Sequence, residues 1–147
     1  MKFRSEKIGQ TLLLELDGEL DTEGSVPFEE RCLYEQQEGS LHFVIALGGV
    51  HRVSGPGLRV LVGLARSLPR SGGSLVLCEL DRKIEEALQV SGLDGVFERR
   101  PDRAAAVSRS QELQAKGGRP PAVGRSASEE KIAYALELLD APDPGAG

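Results

Sequence analysis

A chain of 147 residues, 39% hydrophobic and 28% charged, has room for one compact core of ~100 to 150 residues and a short appendage, and its mix is too apolar and too even for wholesale disorder. No run approaches the ~20 apolar residues that cross a bilayer, and Met1 leads into Lys2, Phe3 and Arg4 rather than into an apolar signal core, so a soluble, cytoplasmic protein is expected. The net charge of −5 argues against a nucleic-acid binder, which neutralises phosphates with a concentrated basic surface.

The alternation over residues 2–8 and the denser apolar run 11–16 flank Gly9-Gln10, a pair that can turn, and predict an antiparallel hairpin. From 22 to 38, Val26, Phe28, Cys32 and Leu33 recur at loosely helical spacing among glutamates and glutamines, with Pro27 in a first turn. Residues 41–47 are apolar without full alternation, which fits a strand covered on both faces near the sheet centre. Glycines interrupt the pattern over 48–57; Leu58, Leu61, Val62, Ala65 and Leu68 then define a helix that Pro69 and Gly72-Gly73 stop. Residues 74–80 read as a second buried strand. Asp81 can cap a helix carrying Ile84, Ala87 and Leu88 to Ser91-Gly92, and 96–99 form a short last strand. Pro101-Asp102 opens a further helix over 103–115.

The order β-β-α-β-α-β-α-β-α predicts an α/β fold: a mixed sheet of about five strands, antiparallel in the initial hairpin and otherwise parallel, packed with about four helices in a domain over 1–115. Paired glycines and paired prolines make 116–126 a linker. Ser126 and Glu129 have the spacing of a capping box for a short helix within 127–140, whose apolar stripe is Ile132, Ala133, Leu136 and Leu139. So short a helix is marginal alone in water and is expected to dock on a protein surface. Residues 141–147 are expected to be disordered.

Charge is unevenly spread: residues 1–50 hold ten acids and four bases, 51–125 eight acids and thirteen bases, and 126–147 five acids and one base. An acidic first part beside a basic middle suits docking to a protein, although a solvated mixed surface is the preferred reading. Cys32 and Cys78 sit in apolar stretches without CxxC spacing and read as buried thiols. Neither His42 nor His51 has a carboxylate or cysteine at metal-ligand spacing, and no nucleophile, base and orienting group occur together, so no metal, cofactor or catalysis is expected. The glycines around 48–57 lack a following Gly-Lys-Ser/Thr, which disfavours a nucleotide enzyme. Asp17, Glu19 and Asp21 read as a loop edge before a helix.

Three segments resemble the STAS family, shared by sulfate transporters and bacterial anti-sigma factor antagonists: Gly18-Glu19-Leu20-Asp21; Val44 to Val50 running into Gly57-Leu58; and Gly72-Gly73-Ser74-Leu75-Val76-Leu77 followed by Leu88 and Gly92-Leu93. The resemblance spans about residues 3–112. The family motif after the third strand is Asp-Ser-Ser/Thr-Gly-Leu, whose first serine is phosphorylated by a partner kinase that is also an anti-sigma factor. Anchored on Gly57-Leu58, the motif puts Ser54 at the aspartate, Gly55 at the phosphoacceptor and Pro56 at the next hydroxyl. Ala46 likewise stands where the family's third strand often ends in Asp-Leu.

The resemblance implies a non-catalytic interaction module of bacterial partner switching, not regulated by phosphorylation at residue 55. Its partner would be an anti-sigma factor, a serine kinase or another STAS protein, and a homodimer is open to it. The partner-binding residues would be Asp21, Arg52, Ser54, Gly55, Pro56, Gly57, Leu58 and Arg59. Ser54 can be read as a displaced phosphoacceptor or, preferably, as a helix-start residue. The alternative function is a small-ligand or anion-binding STAS domain, a sensor or transport accessory using the helix start at 55–58.

Overall fold

The computed structural model describes residues 1–116 and 128–140; the expected linker beyond Lys116 and the expected tail over 141–147 lie outside the described residues. Strands β1 (Lys2–Ile8) and β2 (Thr11–Asp17) pair antiparallel about the turn at Gly9-Gln10, from Lys2 opposite Asp17 to Ile8 opposite Thr11. They are followed by α1 (Thr22–Gln37), β3 (His42–Gly49), α2 (Gly55–Arg70), β4 (Ser74–Cys78), α3 (Arg82–Ser91), β5 (Glu98–Arg100) and α4 (Arg103–Ala115). Helix α5 (Glu129–Asp140) is the last element among the described residues. The sheet order is β1-β2-β3-β4-β5, and β2 to β5 run parallel because a helix carries the chain back between each pair.

Alternate strand residues split the core into two layers. On one face Leu12, Leu14, Leu16, Phe43, Ile45, Leu47, Leu75 and Leu77 pack against Phe28 and Cys32 of α1, Leu58 and Leu61 of α2, and Ile84 and Leu88 of α3. On the other, Leu13, Val44, Ala46, Val76 and Cys78 meet Ala106 and Leu113 of α4. With both faces covered, β3 and β4 have no solvent side, which is why they read as unbroken apolar runs. Cys32 and Cys78 are free and lie in different layers. Burial pushes each thiol up to about 12, so neither supplies a thiolate at neutral pH.

Aspartates start three of the helices. Asp21 accepts from Gly24 N at 2.9 Å, Asp81 from Lys83 N at 2.9 Å and Asp102 from Ala105 N at 2.8 Å, each satisfying an amide the helix leaves unpaired.

Some boundaries differ from the expectation. β4 stops at Cys78, since Glu79 turns the chain with φ +58°. Strand pairing at the far edge shifts to Glu98–Arg100, with Phe97 buried in the core just before it. α2 continues through Pro69 to Arg70, which is tolerable in a last turn where one helical hydrogen bond is lost.

The apolar stripe of α5 also needs correction. Ile132 and Ala135 are buried and Leu136 and Leu139 pack against them, while Ala133 faces out. Ser126 lies outside the described residues; Ser128 makes the N-terminal contact, its Oγ accepting from Lys131 N at 3.3 Å.

Candidate functional site

The site is built by two loops that follow parallel strands, residues 18–21 after β2 and 50–54 after β3. Gly18 N donates to Gly49 O at 3.1 Å, Leu20 N to Arg52 O at 2.9 Å and Ser54 N to Leu20 O at 3.0 Å. Leu20 and Val53 form a parallel bridge and both are buried. The loops are thus an outward continuation of the sheet, with their backbone groups paired.

Gly57 locks α2 onto this ladder. A Cβ there would strike the Leu20 carbonyl and stand 2.7 Å from Leu20 Cγ, so only glycine lets the helix approach so closely. Pro56, in the first turn, has no amide to leave unpaired.

Asp21, Arg52 and residues 54–59 are thereby brought into one region. Arg52, Pro56 and Arg59 are exposed, Asp21, Ser54 and Gly55 are half-buried, and Gly57 and Leu58 are buried as the anchor beneath. Asp21 is occupied as the α1 cap; the hydrogen bond from the Gly24 amide holds its carboxyl below the usual range. Ser54 caps α2 through its backbone, its carbonyl accepting from Leu58 N at 2.9 Å. Its Oγ makes no capping bond and is buried without a hydrogen-bond partner among the described residues. The helix-start reading of Ser54 therefore applies to its main chain, and its hydroxyl points away from solvent.

The helix docked over this region was not legible in its placement. Arg59 Nη2 donates to Glu129 Oε2 at 3.0 Å, and Leu136 Cδ1 lies 3.4 Å from where a Cβ on Gly55 would be. At one end of α3, the side chain of Lys131 approaches Gly92; at the other, Leu139 shares a cleft with Lys83. Helix α5 thus lies antiparallel to α3 and crosses the start of α2. The cleft, about 340 Å³, is lined by His51, Arg52, Val53, Lys83 and Leu139. His51 Nδ1 and Asp81 Oδ2 are 3.2 Å apart. Asp81 is held below the usual carboxyl range, first by the Lys83 amide and then by His51. The sequence signals for this contact were the acidic pair Glu129-Glu130 and the basic middle of the chain, which give charge but no address.

His42 lies apart from the site, buried in β3 with Nδ1 2.9 Å from Ser74 Oγ. Among the described residues no three His, Cys, Asp or Glu side chains gather as metal ligands, and no helix is long and apolar enough to cross a membrane.

A family model described as the STAS domain matches residues 2–106. Over 108 residues the chain is 31% identical to BtrV of Bordetella bronchiseptica, a candidate anti-sigma factor antagonist, covering 74% of this chain and 93% of that protein. A candidate anti-sigma factor antagonist from Thermotoga maritima shares the fold with a TM-score of 0.70 at 22% identity, over 74% of this chain and 94% of that one. So does the Bacillus cell fate determinant SpoIIAA in its phosphorylated form, with a TM-score of 0.58 at 19% identity, over 74% and 98%.

Proposed function

Since the chain belongs to the STAS family, we propose that it is a non-catalytic, cytoplasmic interaction module of bacterial partner switching. It docks through the turn between β3 and α2, the exposed side of the first turns of α2 and the adjoining loop at 18–21. The observation that carries this reading is the Leu20–Val53 bridge with its flanking hydrogen bonds. It fuses two loops into one preorganised surface, which lowers the ordering cost of binding.

The relatives' names point to an anti-sigma factor as the partner class; the family resemblance adds a serine kinase of that type or another STAS protein. Gly55 has no hydroxyl to phosphorylate, so occupancy follows partner concentration, and binding one partner excludes another.

A second reading, anion or small-ligand binding, draws on the cleft beside His51, Arg52 and Lys83. It stands behind the first because the start of α2, where free amides favour an anion, has the methyl group of Leu136 over it.

Calorimetry of the full chain against the serine-kinase anti-sigma factors of its own organism tests the proposal. A saturable complex that ATP leaves intact, with Ser54 unmodified by peptide mapping, supports it; phosphate on Ser54 at high stoichiometry overturns the reading that phosphorylation control is lost. Heat of binding with inorganic phosphate or sulfate, and none with those proteins, replaces it by the second reading.

A further inference from the structure

The family match ends at residue 106, before α5 begins, yet α5 rests on the surface assigned above to a partner. Its contact residues have the spacing of a helix laid in a groove: Ile132, Ala135, Leu136 and Leu139 at i, i+3, i+4 and i+7. Its first turn carries Glu129 and Glu130, and the groove offers Arg59 at that end. Its other end, at Leu139, faces His51, Arg52 and Lys83.

The attachment is deep at Ile132 and Ala135, which are buried in the main core, and shallow beyond them. Leu136 and Leu139 are only half-buried. The Arg59–Glu129 pair leaves the two side chains 50% and 75% exposed, a setting in which ion pairs hold little. A twelve-residue helix does not persist unaided in water, so α5 owes its order to packing on α2 and α3.

We propose that the groove between the start of α2 and α3 is a receptor for an amphipathic helix with an acidic first turn, and that α5 is its built-in occupant. A partner presenting such a helix binds by displacing α5. This rests on the partner-docking reading above and adds what that partner must present. When the competent open form is a minor fraction of the molecules, the apparent affinity for an outside helix falls by that fraction.

The probe is a fluorescein-labelled peptide of residues 128–140, followed by anisotropy. Against the full chain it should bind weakly. Against the full-length Leu136→Asp variant, whose own helix can no longer seat, it should bind about tenfold or more tightly. Adding Arg59→Glu to that variant should weaken the binding again. Hydrogen exchange on the unaltered chain gives a second measure: amides of α5 should exchange through an opening that leaves α2 and β3 protected.

A folded Leu136→Asp chain that does not bind the peptide, or that binds it no better than the unaltered chain, overturns the proposal. So does a Leu136→Asp chain that fails to fold, or exchange of α5 only on global unfolding, since α5 would then be a permanent part of the core. The peptide is the chain's own helix, so its result does not depend on whether an anti-sigma factor docks at the turn. A positive peptide result with no protein partner in calorimetry leaves the groove established and removes the partner reading.

Discussion

Leu136 Cδ1 stands 3.4 Å from the point where a Cβ on Gly55 would lie, so a side chain at residue 55, which the family resemblance sets at the phosphoacceptor, would compete with the C-terminal helix for one small space. The other neighbour of that Cβ is Arg59 Nη1 at 2.9 Å, the mobile end of a long side chain that can swing aside. Gly55→Ser should therefore fold, with stability changed by less than about 1 kcal/mol. Incubated with an anti-sigma-type serine kinase and ATP, it should acquire one phosphate slowly, and faster when combined with Leu136→Asp. Intact-mass time courses check this; equal rates in the two backgrounds would mean that α5 does not shield residue 55.

Arg52 sits on the turn with its side chain exposed, while its carbonyl is tied to Leu20 N. Arg52→Glu should keep the backbone ladder and shift thermal stability by less than about 0.5 kcal/mol, yet weaken binding of an anti-sigma factor through reversed charge at the contact. Calorimetry alongside a melting curve separates the two effects. Undiminished affinity would move the interface off this turn.

Two glycines of α2 provide an internal contrast. A methyl group at Gly57 collides with the Leu20 backbone, whereas one at Gly63 meets nothing within 4 Å. Gly57→Ala should cost about 1 to 3 kcal/mol by forcing α2 off the loop ladder, and Gly63→Ala should add about 0.5 to 1 kcal/mol through better helix propensity. Urea midpoints measure both; loss of partner binding in the first with none in the second would tie the ladder to function.

Burial, and then the positive charge of Lys7, lower the pKa of His42 from its ordinary value of 6.5. The unfolded chain then binds the proton more readily than the folded one, so the contribution of His42 to stability is intact above pH 6.5, declines as the pH drops through that value, and levels off below the folded pKa. The melting temperature should fall between pH 7 and pH 5.5, and His42→Asn, which retains a polar partner for Ser74, should flatten that slope. An unchanged slope would assign the acid sensitivity to other groups.

The elements were legible because their local signals agree: the hairpin turn at Gly9-Gln10, aspartates at three helix starts, and apolar runs where both sheet faces are covered. Ends were less legible. Glu79 takes a positive φ that no pattern announces, and the last strand has three residues, all partly exposed, whose pairing comes from β4 rather than from propensity. At the site, the family resemblance grouped Asp21, Arg52 and residues 54–59 but not the zipper between Leu20 and Val53, a main-chain pairing that side-chain types do not encode. The stripe of α5 was misplaced at Ala133 because Ala133 and Ala135 are chemically identical, and which one is buried depends on the surface beneath.

The strands lie side by side in the order in which they are made. Each one can therefore join the free edge of what precedes it during synthesis, and none has to be inserted between two earlier strands. The helices that line the groove, α2 and α3, end at residue 91, and the core that holds them is closed by Leu93, Phe97 and α4, all made before its occupant starts at Glu129. Every newborn copy passes through an interval with that groove built and unfilled, and for its duration a helix from another molecule meets no resident competitor.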